Sequence, residues 1–204
     1  MGCVIAVAAP PGGGKTTLTC ALARAAGNAA VIHYDHYEQV TRRPVRDIMK
    51  WMKDGSDFDQ LLIPQLQRDL AALKRGETVI VPGTAHRIEP APYIFFDTLL
   101  GRHHRPSGEH IDLLIWIDIP PDLALARNLK AITSHFLSGH VPGRDAEKLA
   151  WIDSYLASYI GGIREALAIQ RQRIRPDADI VVDGNQPVAS MVELSLAGIR
   201  RRIS

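Results

Sequence analysis

The sequence predicts an α/β protein, a parallel sheet with helices on both faces. Two observations carry this prediction. Near-continuous apolar runs of strand length recur along the chain with helical stretches between them, the pattern of strands buried on both sides. The first run, Cys3-Val4-Ile5-Ala6-Val7-Ala8, passes through a glycine-rich turn straight into a helix. A length of 204 residues suits one domain with a full-sized core, taken as residues 1–204. The chain is 46% hydrophobic and 23% charged, an ordinary globular balance.

The elements follow in order. After the turn, Leu18, Ala21, Leu22 and Ala25 recur at helical spacing and Gly27 stops the helix. The second strand is Ala30–Tyr34. A helix after Asp59 carries Leu62, Leu66, Leu70 and Leu73 on one stripe and ends before Gly76, its regular part beginning near Pro64. Thr78–Val81 is a short strand bounded by Pro82-Gly83. Tyr93–Phe96, Leu113–Ile117 and Asp179–Val182 read as further strands. One helix follows Pro121-Asp122. A longer one follows Asp145 with Leu149, Ile152, Leu156, Tyr159 and Ile163 on its inner face, and Gly161-Gly162 should bend or split it. The last helix follows Pro187 and ends in Arg200-Arg201-Arg202, cations that suit a helix C-terminus.

The turn, Ala9-Pro10-Pro11-Gly12-Gly13-Gly14-Lys15-Thr16-Thr17, has the features of a phosphate-binding loop. Between a strand and a helix N-terminus, backbone N–H groups converge on an anion and the helix dipole adds positive charge. Lys15 reaches the terminal phosphates and the Thr16 hydroxyl ligates Mg²⁺. The expected nucleotide-binding set is Pro11, Gly12, Gly13, Gly14, Lys15, Thr16 and Thr17, with ATP and Mg²⁺ as cofactors. The motif wants glycine first and finds Ala9, a small change because the crowded positions keep their glycines.

Reacting groups in such a sheet sit at the carboxyl ends of the strands. Asp97 closes the run Ile94-Phe95-Phe96, the placement of a second acidic Mg²⁺ group, or else a helix cap. Asp35, in His33-Tyr34-Asp35-His36-Tyr37, suits accepting a proton from an attacking hydroxyl and helping to hold the metal, again with a cap as the plainer alternative. Asp118, ahead of Pro120-Pro121, and Asp183-Gly184 read as turn or cap residues.

Charge and cysteine usage narrow the partners. A net charge of +2 argues against a dedicated nucleic-acid or membrane surface. Cys3 and Cys20 fall in the first strand and first helix and are expected as buried thiols in a reducing compartment. No apolar run approaches transmembrane length, no basic region precedes a cleavage site, and Ala6 breaks a myristoylation signal; the cytoplasm is the expected location. His103, His104 and His110 share a loop without thiolate or metal-ligand spacing.

Taken together, the chain resembles the phosphoribulokinase/uridine kinase family of P-loop kinases over most of its length. The residues that carry the likeness are Tyr34-Asp35-His36-Tyr37, Ser56-Asp57-Phe58-Asp59, Phe96-Asp97-Thr98-Leu99-Leu100, Trp116-Ile117-Asp118, Gly143-Arg144-Asp145 and Ala178 to Asp183. The form His33-x-Asp35 is also similar to nicotinamide riboside kinases. Asp97 stands where the family has Glu, and Thr98 where it has Gly.

The resemblance implies a three-layer P-loop fold with a five-stranded parallel sheet in the order 2-3-1-4-5 and a lid over about residues 127–150. It implies that Lys15, Asp35, Arg127 and Arg144 are catalytic, Asp35 orienting the hydroxyl and the cations neutralising the transferring group. Thr16, Asp35 and Asp97 would surround Mg²⁺. Asp35, Tyr37, Asp57, His86 and Arg87 would face the substrate, although Asp57 also reads as a helix cap and the His86-Arg87 hairpin lacks the family's aromatic groups. The implied partner is a small hydroxyl-bearing acceptor, a nucleoside, sugar or polyol; oligomeric state stays open.

Two other classes start with the same loop. A regulatory GTPase needs Asn-Lys-x-Asp and Asp-x-x-Gly segments, which the sequence does not contain. A nucleotide-binding scaffold needs only the loop, not Asp35, Asp97 and the arginines together.

Overall fold

The computed structural model of the chain describes residues 2–37, 45–139 and 144–203. Its strands are β1 (Cys3–Ala8), β2 (Ala29–His33), β3 (Val79–Ile80), β4 (Arg87–Ile88), β5 (Tyr93–Thr98), β6 (Leu113–Asp118) and β7 (Ile180–Asp183). Its helices are α1 (Lys15–Ala26), α2 (Val45–Lys53), α3 (Pro64–Arg75), α4 (Arg105–Gly108), α5 (Pro121–Ser138), α6 (Asp145–Ser158), α7 (Arg164–Asp177) and α8 (Val188–Ile203). Five strands form one parallel sheet in the order β2-β5-β1-β6-β7. Counted along the whole chain, that order differs from the expected 2-3-1-4-5. The reason is the two-residue strands β3 and β4, which intervene and pair antiparallel with each other in a separate hairpin. Pro82-Gly83 turns the chain back before β3 is long enough to join the sheet.

Side chains alternate across β1 with the two-residue period of a strand, and this splits the core into two layers. Val4, Ala6 and Ala8 pack with Leu66, Leu70 and Leu73 of α3 and Ile174 of α7. Ile5 and Val7 pack on the opposite face with Leu18 and Leu22 of α1 and Met191 and Ile199 of α8. Both layers are apolar, which is why β1, β5 and β6 read as unbroken hydrophobic runs.

The helical pattern needs two corrections. Leu62 is 84% exposed and lies before α3, because Pro64 starts that helix with a ring that needs no N–H partner. No residue of α6 is fully buried and Leu149 is 66% exposed, so the expected inner face is covered only toward its end, with Ile152, Leu156 and Ile163 half-buried and Tyr159 buried. The helix meets α5, where Trp151 packs edge-on to Phe136, Lys148 donates to the Phe136 carbonyl and Tyr155 OH accepts from Asn128, while Trp151 and Tyr155 stack on each other within α6. Gly161-Gly162 does interrupt the helix, as a π-helical turn over Tyr159–Ile163 that joins α6 to α7. Cys3 and Cys20 are free thiols, partly rather than fully buried. Among the described residues no helix is long and apolar enough to cross a membrane. Part of the expected lid, residues 140–143, lies outside the described residues.

Candidate active site

The loop after β1 is packed from beneath and from one side. Ala9 is fully buried, and a Cβ on Gly13 would meet the Ala9 Cβ at 2.7 Å. Gly13 N–H donates to the Pro10 carbonyl at 2.9 Å, closing the turn. Gly12 has φ +75, and a Cβ there would stand 2.1 Å from the Ala124 carbonyl oxygen of α5. Only glycine lets the loop and the α5 backbone come this close. Gly14, at φ +88, precedes α1 and supplies no side-chain cap. The first-turn N–H groups of α1 therefore have no side-chain cap, and such groups can serve an anion. Lys15 begins that helix and is only 9% exposed.

Asp97 is the penultimate residue of β5, beside this loop, and is 1% exposed. Its Oδ2 lies 2.7 Å from His33 Nδ1, and its Oδ1 accepts from Tyr34 N–H at 2.9 Å. Burial would raise its carboxyl pKa. The hydrogen bonds from His33, Tyr34 N–H and the Thr16 hydroxyl outweigh burial and hold it below the ordinary carboxylate range. The bond to Asp97 in turn raises His33, against the opposing effect of its own burial. Thr16 and Asp97 thus bring two hard oxygen donors together at the helix N-terminus. A carboxylate with lone pairs to spare beside a hydroxyl fits Mg²⁺, which takes few protein ligands and completes its shell with phosphate oxygens and water.

The remaining expected residues are placed as follows. Asp35 is exposed in a 3₁₀ turn, Tyr34–His36, directly after β2, close enough to His33 to raise it electrostatically. Tyr37 is committed elsewhere: its hydroxyl donates to buried Asp69 of α3 at 2.9 Å, and burial followed by that bond raises its pKa. Asp57 caps the 3₁₀ turn Phe58–Gln60 by accepting from Asp59 N–H at 3.0 Å, which is its capping alternative. His86 and Arg87 are exposed on the β3–β4 hairpin, where Thr84 holds His86 N–H and Glu89 pairs with Arg87. Arg127 of α5 donates to the Gly184 carbonyl at 3.0 Å, and Arg144 pairs with Glu147 at 3.6 Å. These described contacts do not bring either arginine to the loop.

Asp118 departs from its turn reading. It pairs with Arg171 at 2.7 Å and Arg175 at 3.0 Å, both on α7. Burial opposes ionisation there, but the two guanidiniums prevail and its pKa is lowered. Asp183 does make a turn, accepting from Asn185 N–H at 2.9 Å. His103, His104 and His110 make separate contacts, to the Arg173 carbonyl, Ser107 and Glu109. Sequence reasoning assigned no role to His33, Arg171 or Arg175. A signal existed for His33, because it closes one strand as Asp97 nears the end of another, but only the register pairs them.

No family model matches the chain. Solved structures with a similar fold include proteins described as kinases. A protein provisionally assigned as a fructose transport system kinase from Silicibacter sp. TM1040 aligns at TM-score 0.58 and 20% identity, covering 89% of each chain. Shikimate kinase from Acinetobacter baumannii, in complex with shikimate, aligns at TM-score 0.54 and 19% identity, covering 98% of this chain and 94% of that one. A possible uridine kinase from Bacillus stearothermophilus aligns at TM-score 0.51 and 12% identity, covering 89% of each. The chain has the fold that these P-loop kinases share.

Proposed function

We propose that this chain is an ATP-dependent phosphotransferase that moves the terminal phosphoryl group to a hydroxyl of a small metabolite, in the manner of a uridine kinase. The observation that carries the reading is the phosphate loop set beside the Thr16–Asp97 pair. A phosphate cradle and an acidic metal position at one helix N-terminus are what phosphoryl transfer needs, since it is mostly positioning and electrostatics. Lys15 holds the terminal phosphates, and Thr16 and Asp97 hold Mg²⁺, which offsets charge on the phosphate oxygens when bound. The acceptor oxygen forms a bond to phosphorus as the bond to the departing ADP oxygen breaks. Asp35, on the exposed turn after β2, takes the acceptor's proton and would help to hold Mg²⁺.

Arg127 and Arg144 belong to the lid and act when it closes, exchanging their present partners for phosphate oxygens. Tyr37 and Asp57 serve the acceptor side by fixing its shape, through Asp69 and the Phe58 turn. His86 and Arg87 are available at the hairpin surface.

The test is a panel of nucleosides, sugars and polyols offered with Mg-ATP and followed by mass spectrometry. An acceptor that gains one phosphoryl group, with the gain lost in Lys15→Ala, is the expected result. ATP consumption with no acceptor modified would favour a regulatory ATPase instead.

A further inference from the structure

Three arginines of α7 share one stripe. Arg164, Arg171 and Arg175 stand at i, i+7 and i+11, with Ala168 between them at i+4, and all four are exposed. The stripe borders a cleft of about 870 Å³ between α5 and α7, a volume typical of a small-molecule site. Pro10 and Pro11 of the phosphate loop form one wall, and Tyr155 and Tyr159 another. Tyr155 OH accepts from Asn128 Nδ2 at 2.8 Å and its ring is stacked on Trp151, so that wall is held in place.

Charge on the stripe narrows the chemistry. Asp118 Oδ1 accepts from Arg171 Nη2 at 2.7 Å, and its Oδ2 accepts from Arg175 Nε at 3.0 Å. One carboxylate against two guanidiniums leaves one positive charge in excess. Arg164 and its neighbour Glu165 are opposite in sign and add none. A guanidinium carries five N–H donors in a planar fork, so most donors of Arg171 and Arg175 have no protein partner among the described residues. Asp118 itself lines the smaller groove beside this cleft, together with Asp183 and Asn185. Asp183 is occupied there by its own turn, accepting from Asn185 and Gln186. The cleft therefore joins apolar walls to a cationic rim.

The cleft also stands apart from the groups assigned to transfer. Sheet order places it over β6, on the other side of β1 from Asp97 and from the turn that carries Asp35. Ile174 of α7 packs on one face of the sheet, while Leu18 and Leu22 of α1, the helix of the phosphate loop, pack on the opposite face.

We infer that the cleft is a second ligand site, distinct from that of the hydroxyl acceptor, and that it takes a monocarboxylate with an apolar body. The body lies against proline, leucine and tyrosine carbon, and the carboxylate pairs with the unused donors of Arg171 and Arg175. One excess positive charge matches one negative charge, whereas a phosphate monoester brings about two at neutral pH. A neutral compound forgoes the charge-assisted bonds and leaves the guanidiniums to water.

Full-length protein without nucleotide is titrated calorimetrically, at millimolar concentration, with three probes of one body: 3-phenylpropionate, 3-phenylpropionamide and 2-phenylethyl phosphate. The carboxylate is expected to bind about tenfold more tightly than the amide and no more weakly than the phosphate. Two variants at exposed positions of α7 accompany it: Arg171→Met removes one guanidinium, and Ala168→Phe fills the cleft. Each should weaken carboxylate binding about tenfold, while Arg171→Met leaves amide binding within about twofold. Arg201→Met, at the exposed end of α8, should change neither. Absence of carboxylate binding, an amide that binds as tightly, or a phosphate that binds more tightly would overturn the ligand class. Undiminished binding in Ala168→Phe, or an equal loss in Arg201→Met, would overturn the site. Displacement of the carboxylate by Mg-ATP would assign the cleft to the nucleotide and overturn its separation from the transfer site. A protein that binds the carboxylate and transfers no phosphate would lose the phosphotransferase reading alone.

Discussion

His33 and Asp97 stand opposite each other in the register of β2 and β5, and their side chains meet at 2.7 Å. Partners in a parallel ladder point to the same face, so the register itself brings the imidazole to the carboxylate. Cys20 Sγ lies 3.9 Å from His33 Nε2, which suits a tautomer with the proton on Nδ1, donated to Asp97. With Tyr34 N–H on its other oxygen, Asp97 is oriented before any ligand arrives.

This pair predicts a pH dependence of stability. His33 is raised above its ordinary 6.5, so its contribution is full below that value and is lost as pH rises through the raised one. Asp97 is lowered below 3.8, so its contribution is full above that value and is lost as pH falls through the lowered one. Between the two lowered and raised values the charged pair stabilises the fold. In Mg²⁺-free buffer, melting temperature should decline from weakly acidic to alkaline pH, and His33→Asn, which keeps a donor near the Nδ1 position, should flatten that decline. An alkaline limb unchanged in His33→Asn would show that the pair is not its source.

Gly12 and Gly14 share a left-handed backbone but not a neighbourhood. A Cβ on Gly12 would meet the Ala124 carbonyl at 2.1 Å, whereas one on Gly14 meets nothing within 4 Å. Gly14→Ala should therefore lose only the conformational cost of a positive φ, about 1–2 kcal/mol. Gly12→Ala adds a backbone clash that no rotamer can relieve, and should be the less stable of the two in urea unfolding. Equal stabilities would mean that α5 moves aside freely.

Lys15 tests the phosphate loop. Lys15→Ala should cut transfer by a factor of about 100 or more, through loss of charge stabilisation in the transition state. Because Lys15 lies at the start of α1 with its neighbours held by the loop, the variant should unfold at nearly the wild-type temperature. Near-normal turnover in this variant would remove the loop from the chemistry.

The parts of the fold legible in sequence were those that pack on both sides. β1, β5 and β6 stood out as apolar runs, and α1 and α3 ended at Gly27 and Gly76 as their spacing indicated. α6 misled because apolar spacing records a stripe, not what covers it; Leu149 has the right period and an exposed side chain. The hydrogen bond of Tyr37 to Asp69 was not legible, since it joins the turn after β2 to a residue 32 positions on, in α3, whereas the Asp57 cap is local and stood among its sequence alternatives. The His33–Asp97 and Asp118–Arg171 contacts depend on register and helix packing between segments 53 or more residues apart, which local patterns do not encode.

The last prediction separates Asp35 from Asp97, two carboxylates assigned different tasks in one site. Asp97 is buried, triply hydrogen-bonded and next to Thr16, and its proposed work is on Mg²⁺. Asp35 is exposed on the turn after β2, and its proposed main work is on the acceptor hydroxyl, with any hold on the metal secondary. Asp35→Asn keeps size and hydrogen-bonding capacity while removing the proton acceptor. It should leave Mg-ATP affinity within a few-fold and lower turnover by about 100-fold or more, the upper range of general-base effects. Asp97→Asn should raise the Mg²⁺ concentration needed for half-maximal rate, and excess Mg²⁺ should partly restore activity. It should also lower stability, because an amide in place of the carboxylate cannot accept from His33, Tyr34 N–H and Thr16 with both of its heavy atoms. Rescue of Asp35→Asn by Mg²⁺, with none for Asp97→Asn, would exchange the two assignments. Unchanged transfer in both variants would place the reacting centre elsewhere in the fold.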